Sequence, residues 1–310
     1  MIRPWKRQFR IIQVDNVVSA APESRFRDRL LKPPERSDML KQRVITALIL
    51  APLVISSVLL LPTGYVALLL AVVVLVGSRE WARLSGFADL PQQLLYTLLM
   101  MLLLGCSYFL MPPSWIPVIT GLAVVWWCFV LVRIMRYRSD QSPSDNSLLK
   151  GLEGIVVLLP PWLALINLHQ IPAYGPGLML FVLMLIWSAD VGAYFAGHRW
   201  GSHKLAPEVS PGKTREGVYG AMVSALLCGF VLIWWLDSPV LKSILILLLC
   251  LVTMLSSVVG DLFESLLKRQ RGMKDSGTLL PGHGGMLDRI DSLTAAAPVF
   301  LFGLILLGEA

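Results

Sequence analysis

The hydrophobic pattern of this chain is a series of long apolar runs separated by short polar connections. Crossing the hydrocarbon core of a bilayer takes about 20 apolar residues in a helix. Two runs are unusual, because the second stops early at Arg79 and Glu80 and the fifth contains Pro160 and Pro161, which we expect to kink it. The pattern predicts an all-α, polytopic integral membrane protein with about nine transmembrane helices, near residues 44–61, 64–80, 94–111, 115–134, 152–168, 177–197, 217–236, 241–260 and 292–308.

The composition of the chain supports a membrane protein. The mean hydropathy is +0.68 and only 15% of the 310 residues are charged, whereas an ordinary globular domain is about 25% charged. A soluble core cannot bury this much apolar side chain. The four cysteines all lie inside apolar runs, so we interpret them as small hydrophobic residues and not as disulfides or metal ligands.

The basic residues of the polar connections are unevenly divided between the two sides of the predicted membrane. If the N-terminus is cytoplasmic, the outer connections hold only Lys242. This bias is the positive-inside pattern, so we expect a multi-pass protein of the inner (cytoplasmic) membrane, and the net charge of +7 requires no nucleic-acid partner. The basic residues of the cytoplasmic connections are Arg79, Arg83, Arg136, Arg138, Lys150, Arg199, Lys204, Lys213, Arg215, Lys268, Arg269, Arg271, Lys274 and Arg289.

The N-terminal segment differs in character from the rest of the chain. Residues 1–43 are rich in Arg and Lys and contain no apolar run, so they are no secretory signal. We predict that residues 1–38 form a basic, flexible cytoplasmic tail and that residues 39–310 form the membrane-embedded domain. The first residues alternatively form an interfacial helix on anionic lipid, or translation begins at Met39.

Charged side chains inside apolar runs are the most informative residues. A central Asp costs roughly 2.5–3.5 kcal/mol to insert and therefore tends to face a cavity or a partner. Asp190, near the end of the sixth run, shares a helix face with Trp187 and Tyr194. The loop that follows is basic, which suits either phosphate groups or the anionic lipid surface.

That loop contains the segment SPGKT, residues 210–214, which is similar to part of a phosphate-binding P-loop. We reject a P-loop because Pro207 stands where its first glycine is required and because we expect no strand before it. Gly212 still allows the backbone to approach a phosphate closely, and Lys213 and Thr214 can neutralise it and hydrogen-bond to it. A loop that only meets anionic lipid remains the alternative.

A second group of charges follows the eighth run. Asp261, Glu264, Ser265 and Lys268 form one stripe of a helix that leaves the membrane on the cytoplasmic side. Carboxylates are oxygen ligands that magnesium prefers, usually one or two per ion with phosphates completing the shell. Simple ion pairing between Glu264 and Lys268, four residues apart, is the alternative.

A third group opens the ninth run. The glycine-rich segment PGHGG, residues 281–285, predicts a tight loop, and Asp288 and Asp291 follow it at the start of a helix. Acidic residues there also gain from the helix dipole, which is the alternative to a catalytic role. The four scattered histidines do not have the spacing of a zinc site, and we expect His283 to shape the loop or contact phosphate rather than act as a general base.

Several stretches together resemble the phosphatidate cytidylyltransferase family, also called CDP-diacylglycerol synthases. The resemblance covers about residues 39–310 and depends on an ordered pattern, not on one short motif. The matching stretches are SLLKRQRGMKDSGTLLPGHGGMLDRID (265–291), KLAPEVSPGKTREG (204–217), SADVGAYFAG (188–197) and EWARLSGF (80–87).

The resemblance implies a reaction at the cytoplasmic face in which CTP and phosphatidate give CDP-diacylglycerol and pyrophosphate. It implies magnesium dependence, with Asp261 and Asp288 as metal ligands, and a homodimer. The predicted catalytic residues are Asp261, Asp288, Lys213, Lys268 and Arg289. The predicted substrate-binding residues are Ser210, Gly212, Lys213, Thr214, Lys274, Asp275, His283, Gly284, Gly285, Asp190 and Asp291.

The proposed chemistry brings two polyanions together, so charge stabilisation and positioning supply most of the catalysis. The lipid phosphate is already largely ionised near neutral pH, so no strong general base is required. A transporter is the main alternative of another class, because intramembrane carboxylates also mark ion pathways. A cytidylyltransferase for another lipid phosphate is the alternative within the same class.

Overall fold

The computed structural model describes residues 36–138, 146–277 and 284–309, with side chains from residue 48 onward. Within these ranges the chain folds into nine α-helices and one two-stranded hairpin, so the prediction of an all-α membrane protein is confirmed. The elements are α1 (Arg36–Leu60), α2 (Thr63–Ser85), α3 (Leu90–Leu110), α4 (Ile116–Met135, after a 3₁₀ turn at Pro113–Trp115), α5 (Ser147–Gln170), α6 (Gly175–Trp200), β1 (Lys204–Ala206), β2 (Ser210–Thr214), α7 (Arg215–Leu236), α8 (Val240–Gln270) and α9 (Leu287–Leu307).

Eight of the described helices, α2 to α9, are long and apolar enough to cross a membrane. The described apolar part of α1, Leu48–Leu60, is shorter than such a span. Large apolar side chains cover the outer surface of the bundle, among them Phe109 at 80% exposure. Such a surface suits lipid and not water, so the chain is a multi-pass membrane protein.

Contacts divide the chain into two compact units, residues 1–44 and residues 45–310. In the first unit the structure describes only residues 36–44, whose backbone is helical. The predictions of an interfacial helix, a flexible tail and a start at Met39 depend on residues 1–35, which lie outside the described ranges. They therefore stay predictions, as does the domain boundary at residue 38.

Helix α9 lies at the centre of the second unit and contacts α2, α4, α5, α6 and α8. Residues 294–301 are all buried, and three of them are the consecutive alanines of the segment AAA, 295–297. Small side chains allow neighbouring helices to approach closely in a membrane, where helix association depends on packing. The tightly packed middle of α9 therefore holds its polar first turn in a fixed place.

Helices α6 and α7 also pack through small residues. A Cβ built on Gly220 would collide with the backbone carbonyl of Gly192 and the methyl group of Ala196. The two helices flank the hairpin, so this close approach also fixes the hairpin's two ends.

We predict that Gly220→Ala lowers the free energy of unfolding by about 1–3 kcal/mol, because the added methyl group overfills the contact between α6 and α7. Thermal unfolding in detergent measures the change. Gly105→Ala is the matched control, since a Cβ on Gly105 meets no atom within 4 Å. Equal melting temperatures for the two variants would contradict the prediction.

One expectation about the helices needs correction. Helix α2 does not stop at Arg79 and Glu80 but continues to Ser85, because the Glu80 carboxylate is buried and hydrogen-bonded. Pro160 and Pro161 lie inside the single continuous helix α5, and the kink expected there stays a prediction. All four cysteines are free thiols, so the part of the prediction that excludes disulfides is confirmed.

The expectation that no strand precedes SPGKT is wrong. Strands β1 and β2 pair antiparallel, with Lys204 opposite Thr214 and Ala206 opposite Ser210. The SPGKT segment is itself β2, and the Thr214 hydroxyl caps α7 by accepting a hydrogen bond from the Gly217 amide at 3.1 Å. An extended strand is not the compact phosphate-cradling loop of a P-loop, so the rejection of that motif stands.

Candidate active site

The site lies at one end of the bundle, where three connections between helices meet. The hairpin between α6 and α7 contacts the last turns of α8, and Arg269 there donates to the Val209 carbonyl at 3.3 Å. The loop between α8 and α9 contacts the end of α2, where Arg271 donates to the carbonyl of Leu84 at 2.7 Å. The charged residues that the sequence places in separate stretches are thus brought to one end of the bundle.

A cleft of about 380 Å³ opens between α6, the hairpin, α7 and α8. Asp190 and Asp261 contribute carboxylates to it, and Lys213 contributes an ammonium group. Tyr194 and His198 stand at its wall with stacked rings, 5.9 Å apart and nearly parallel. The remaining lining residues are Ala189, Ala193, Gly197, Leu205, Gly212, Thr214, Gly217, Val218, Ala221, Ser257 and Val258.

The central polar contact of the cleft is an ion pair between Lys213 and Asp261. The Lys213 ammonium lies 2.6 Å from the Asp261 carboxylate, and the two side chains are 26% and 31% exposed. Both groups are therefore held in place yet remain accessible to a ligand. Asp261 also accepts a weak hydrogen bond from Ser265 at 3.4 Å, which confirms that these residues share one face of α8.

A second cavity, of about 210 Å³, lies between α6 and the start of α9. Asp190 lines this cavity as well as the cleft, so the two spaces share this residue in their walls. Asp288, Asp291 and Arg289 provide the other charged groups, and Leu183 and other apolar side chains complete the wall. Charged and apolar side chains thus line the same cavity.

Lys268 lies between two carboxylates at the end of α8. Its ammonium is 2.5 Å from Asp288 and 3.3 Å from Glu264. The alternative of ion pairing between Glu264 and Lys268 is thus present in the structure, although the shorter contact is to Asp288. Glu264 is only 4% exposed, and no described group hydrogen-bonds to its carboxylate, so Lys268 is its charge partner here.

The Asp288 carboxylate also organises the loop before it. One oxygen accepts hydrogen bonds from the Ser276 amide at 3.0 Å, the Ser276 hydroxyl at 3.0 Å and the Gly285 amide at 2.8 Å. The other oxygen binds Lys268. The Asp288 carboxylate therefore holds Ser276 and Gly285, at the two described ends of this loop, close together.

The other predicted residues fall into different positions. Gly212, Lys213 and Thr214 line the cleft, whereas Ser210 lies in β2 outside its wall. Lys274 and Asp275 are exposed in the described part of the loop after α8. Gly284 has a positive φ of 80° and lies against the Asp288 carboxylate. His283 falls outside the described residues, so its role stays a prediction.

Reasoning from the sequence missed Glu80 as a site residue. The apolar pattern ends its second run at this residue, although the stretch EWARLSGF carries part of the family resemblance. The signal was a carboxylate that interrupts an apolar helix, which is costly unless a partner is present. The structure supplies those partners on the loop between α8 and α9.

A divalent cation requires oxygen ligands, and the site offers several carboxylates. Among the described residues, no three His, Cys, Asp or Glu side chains converge on one point. Magnesium commonly takes one or two carboxylates and completes its shell with phosphates and water, so the Asp190 and Asp261 carboxylates of the cleft fit it. Asp288 lines the other cavity and its oxygens already accept four hydrogen bonds, so the predicted pair Asp261 and Asp288 stays a prediction.

Comparison with known proteins agrees with the family resemblance. Residues 41–307 match the model of the cytidylyltransferase family. The chain is 42% identical to the phosphatidate cytidylyltransferase of Pseudomonas aeruginosa over 262 residues, which cover 84% of this chain and 96% of that protein. It is 38% identical to the Haemophilus influenzae protein of the same name over 286 residues, which cover 85% and 98%. The chain therefore belongs to the cytidylyltransferase family.

Proposed function

We propose that this protein transfers the cytidylyl group of CTP to phosphatidate and releases pyrophosphate. A phosphate oxygen of the lipid attacks the α-phosphorus of CTP and forms the new P–O bond. The bond from that phosphorus to the bridging oxygen of the β-phosphate breaks, and pyrophosphate leaves. The observation that carries this proposal is the accessible Lys213–Asp261 pair, which places a cation for phosphate next to a carboxylate for a metal ion.

The cleft suits the nucleotide. Lys213 offers a charge-assisted hydrogen bond to a phosphate, and Gly212 beside it leaves open space, since a Cβ there would meet no atom within 4 Å. The stacked Tyr194 and His198 rings present an aromatic surface on which a base can lie. Charge and aromatic surface thus occur in one cleft of about 380 Å³.

The second cavity suits the lipid phosphate. Arg289 can bind a phosphate there, and the apolar side chains of Leu183, Ile186 and Leu293 give it a wall compatible with acyl chains. Because Asp190 belongs to both spaces, the two substrates would meet beside its carboxylate. This arrangement supports transfer between a bound nucleotide and a bound lipid phosphate.

We propose magnesium as the cofactor, held by Asp261 together with Asp190. When bound, the ion supplies charge neutralisation between the two anionic substrates. Fixed positive charge is added by Lys213, Lys268 and Arg289. The ion pair with Asp288 holds the Lys268 ammonium in place. Lys213 and Arg289, which line the two spaces, would orient phosphates without transferring a proton, which agrees with a substrate that is already ionised. Lys268 lines neither of these spaces, so its charge would act from behind Asp288.

We also propose that the site faces the cytoplasm from the inner membrane. The loops that build it contain most of the basic residues of the connections, whereas Lys242 lies at the far end of α8 and pairs with Glu309 at 2.6 Å. The positive-inside pattern places such loops on the cytoplasmic side. CTP is then available from the same compartment.

Purified protein given labelled CTP, magnesium and a panel of lipid phosphates tests the activity. We expect a labelled CDP-lipid and pyrophosphate, with phosphatidate preferred. Lys213→Met should lower kcat/KM for CTP by about a hundredfold, because a preorganised charge is lost. Lys242→Met, which removes a paired lysine at the other end of α8, is the control and should keep wild-type kinetics. If the protein turned over only a different lipid phosphate, that lipid would replace phosphatidate as the proposed substrate. If no lipid phosphate led to consumption of CTP, the proposal would be rejected.

A further inference from the structure

One buried carboxylate, Glu80 of α2, holds the loop between α8 and α9. Its Oε2 accepts hydrogen bonds from the Ser276 hydroxyl at 3.0 Å and the Leu287 amide at 2.8 Å. Its Oε1 accepts from the Met286 amide at 3.0 Å. Glu80 is only 6% exposed, so these three donors replace the water that an ionised carboxylate would otherwise bind.

The two amides mark the beginning of α9. Met286 is the residue before the helix and Leu287 is its first residue. Amides at a helix N-terminus have no acceptor within the helix, and the helix dipole favours a negative charge there. Glu80 therefore determines where α9 starts, and with it the placement of Asp288 one residue later.

The Ser276 hydroxyl connects Glu80 to the site itself. It lies 3.0 Å from a Glu80 oxygen and 3.0 Å from an Asp288 oxygen. A hydroxyl has a single proton, so the two carboxylates share one donor and their positions are linked. Asp288 in turn binds Lys268, so a continuous chain of contacts runs from α2 to the end of α8.

The loop is built to accept this carboxylate. A Cβ on either Gly277 or Gly285 would collide with the Glu80 side chain. A second anchor lies close by, where Arg271 donates to the Leu84 and Ser85 carbonyls at the end of the same helix. The last turns of α2 thus contact both the end of α8 and the start of α9.

We propose that Glu80 is a positioning residue for the reaction: acting through Ser276 and the first amides of α9, it holds Asp288 and Lys268 in their working arrangement. The inference rests on the proposed function and adds to it a residue on a helix that does not line either cavity. Glu80 has no contact with substrate in this role, and its effect passes through the loop.

Glu80→Gln tests the inference, because glutamine keeps the volume but has one acceptor oxygen where the carboxylate has two. We expect kcat to fall by about tenfold to a hundredfold while KM for CTP changes by less than about threefold. We also expect hydrogen exchange at the Met286 and Leu287 amides to become faster, a measurement that needs no activity.

Glu153→Gln is the control, since it removes the charge of a different, partly buried carboxylate, which pairs with Arg133 at 2.6 Å. It should lower the melting temperature and leave kcat per folded molecule unchanged. Ser276→Ala breaks the link but keeps the bonds from Glu80 to α9, and it should lower kcat by about threefold to tenfold. If Glu80→Gln does not fold, Ser276→Ala alone tests the positioning role.

A lower melting temperature with wild-type kcat in both Glu80→Gln and Ser276→Ala would overturn the positioning role. So would unchanged exchange at the two amides in Glu80→Gln. If the wild-type protein gave no CDP-lipid with any lipid phosphate, the proposed function would fail instead, and the exchange measurement would still decide whether Glu80 anchors α9.

Discussion

Asp261→Asn should reduce turnover of CTP by about a hundredfold or more and leave the protein folded in the membrane. Asparagine keeps the shape of aspartate but lacks the negative charge that a divalent cation and Lys213 both require. Asp261 is 31% exposed, so its loss leaves no deeply buried partner unpaired. The expected signature is therefore loss of catalysis with little change in stability.

Three measurements check this expectation. Steady-state kinetics gives kcat and KM for CTP, thermal unfolding in detergent gives the stability, and electron paramagnetic resonance with Mn²⁺ gives the affinity for a divalent ion. We expect weaker Mn²⁺ binding in the variant if Asp261 holds the metal. Asp237→Asn is the control, because Asp237 is an exposed residue at the end of α7 whose positive φ of 48° asparagine also adopts.

Near-normal turnover in Asp261→Asn would refute the assignment. Lost turnover with unchanged Mn²⁺ affinity would be equally informative. It would show that Asp261 acts by holding Lys213 and not by binding the ion. Asp190 would then be the next carboxylate to replace, since it lines the same cleft.

The sequence allowed most of the fold to be predicted because length and hydropathy dominate in a membrane. A helix there must satisfy its own backbone hydrogen bonds and present apolar side chains, so long apolar runs leave few alternatives. The same rule fails at Glu80, where the charge predicts the end of a span but the helix continues to Ser85. A buried carboxylate is tolerated when partners more than 190 positions later in the chain supply its hydrogen bonds, and local pattern does not contain that information.

The candidate site was predictable in its residue types but not in its pairings. Spacing along α8 placed Asp261, Glu264 and Lys268 on one face, and the structure agrees. The pairing of Lys213 with Asp261, and of Lys268 with Asp288, depends on how the hairpin and the loop before α9 fold back. Such contacts between distant segments require the tertiary structure, because residue spacing specifies neighbours only within one element.

Asp288→Asn should produce the opposite signature to Asp261→Asn, with stability lost together with activity. Asp288 and Lys268 are each 11% exposed in their side chains, and the Asp288 carboxylate accepts hydrogen bonds from four groups. In asparagine one oxygen becomes an NH₂ group, which faces either the Lys268 ammonium or the loop amides as donor against donor. Removing one partner of such a buried pair costs about 3–5 kcal/mol.

A double-mutant cycle separates the structural role of the Lys268–Asp288 ion pair from a role of Asp288 in metal binding. Lys268→Met alone leaves Asp288 and Glu264 without their shared cation, so it should destabilise strongly. The variant with both Lys268→Met and Asp288→Asn should lose less stability than the sum of the two single changes, because the orphaned charge is gone. Additive losses, or an Asp288→Asn protein that melts like the wild type, would mean that the carboxylate does not hold the loop. In that case the hydrogen bonds to Ser276 and Gly285 would contribute little to the fold. Contact with a metal ion or a substrate would then be the remaining role of the Asp288 carboxylate.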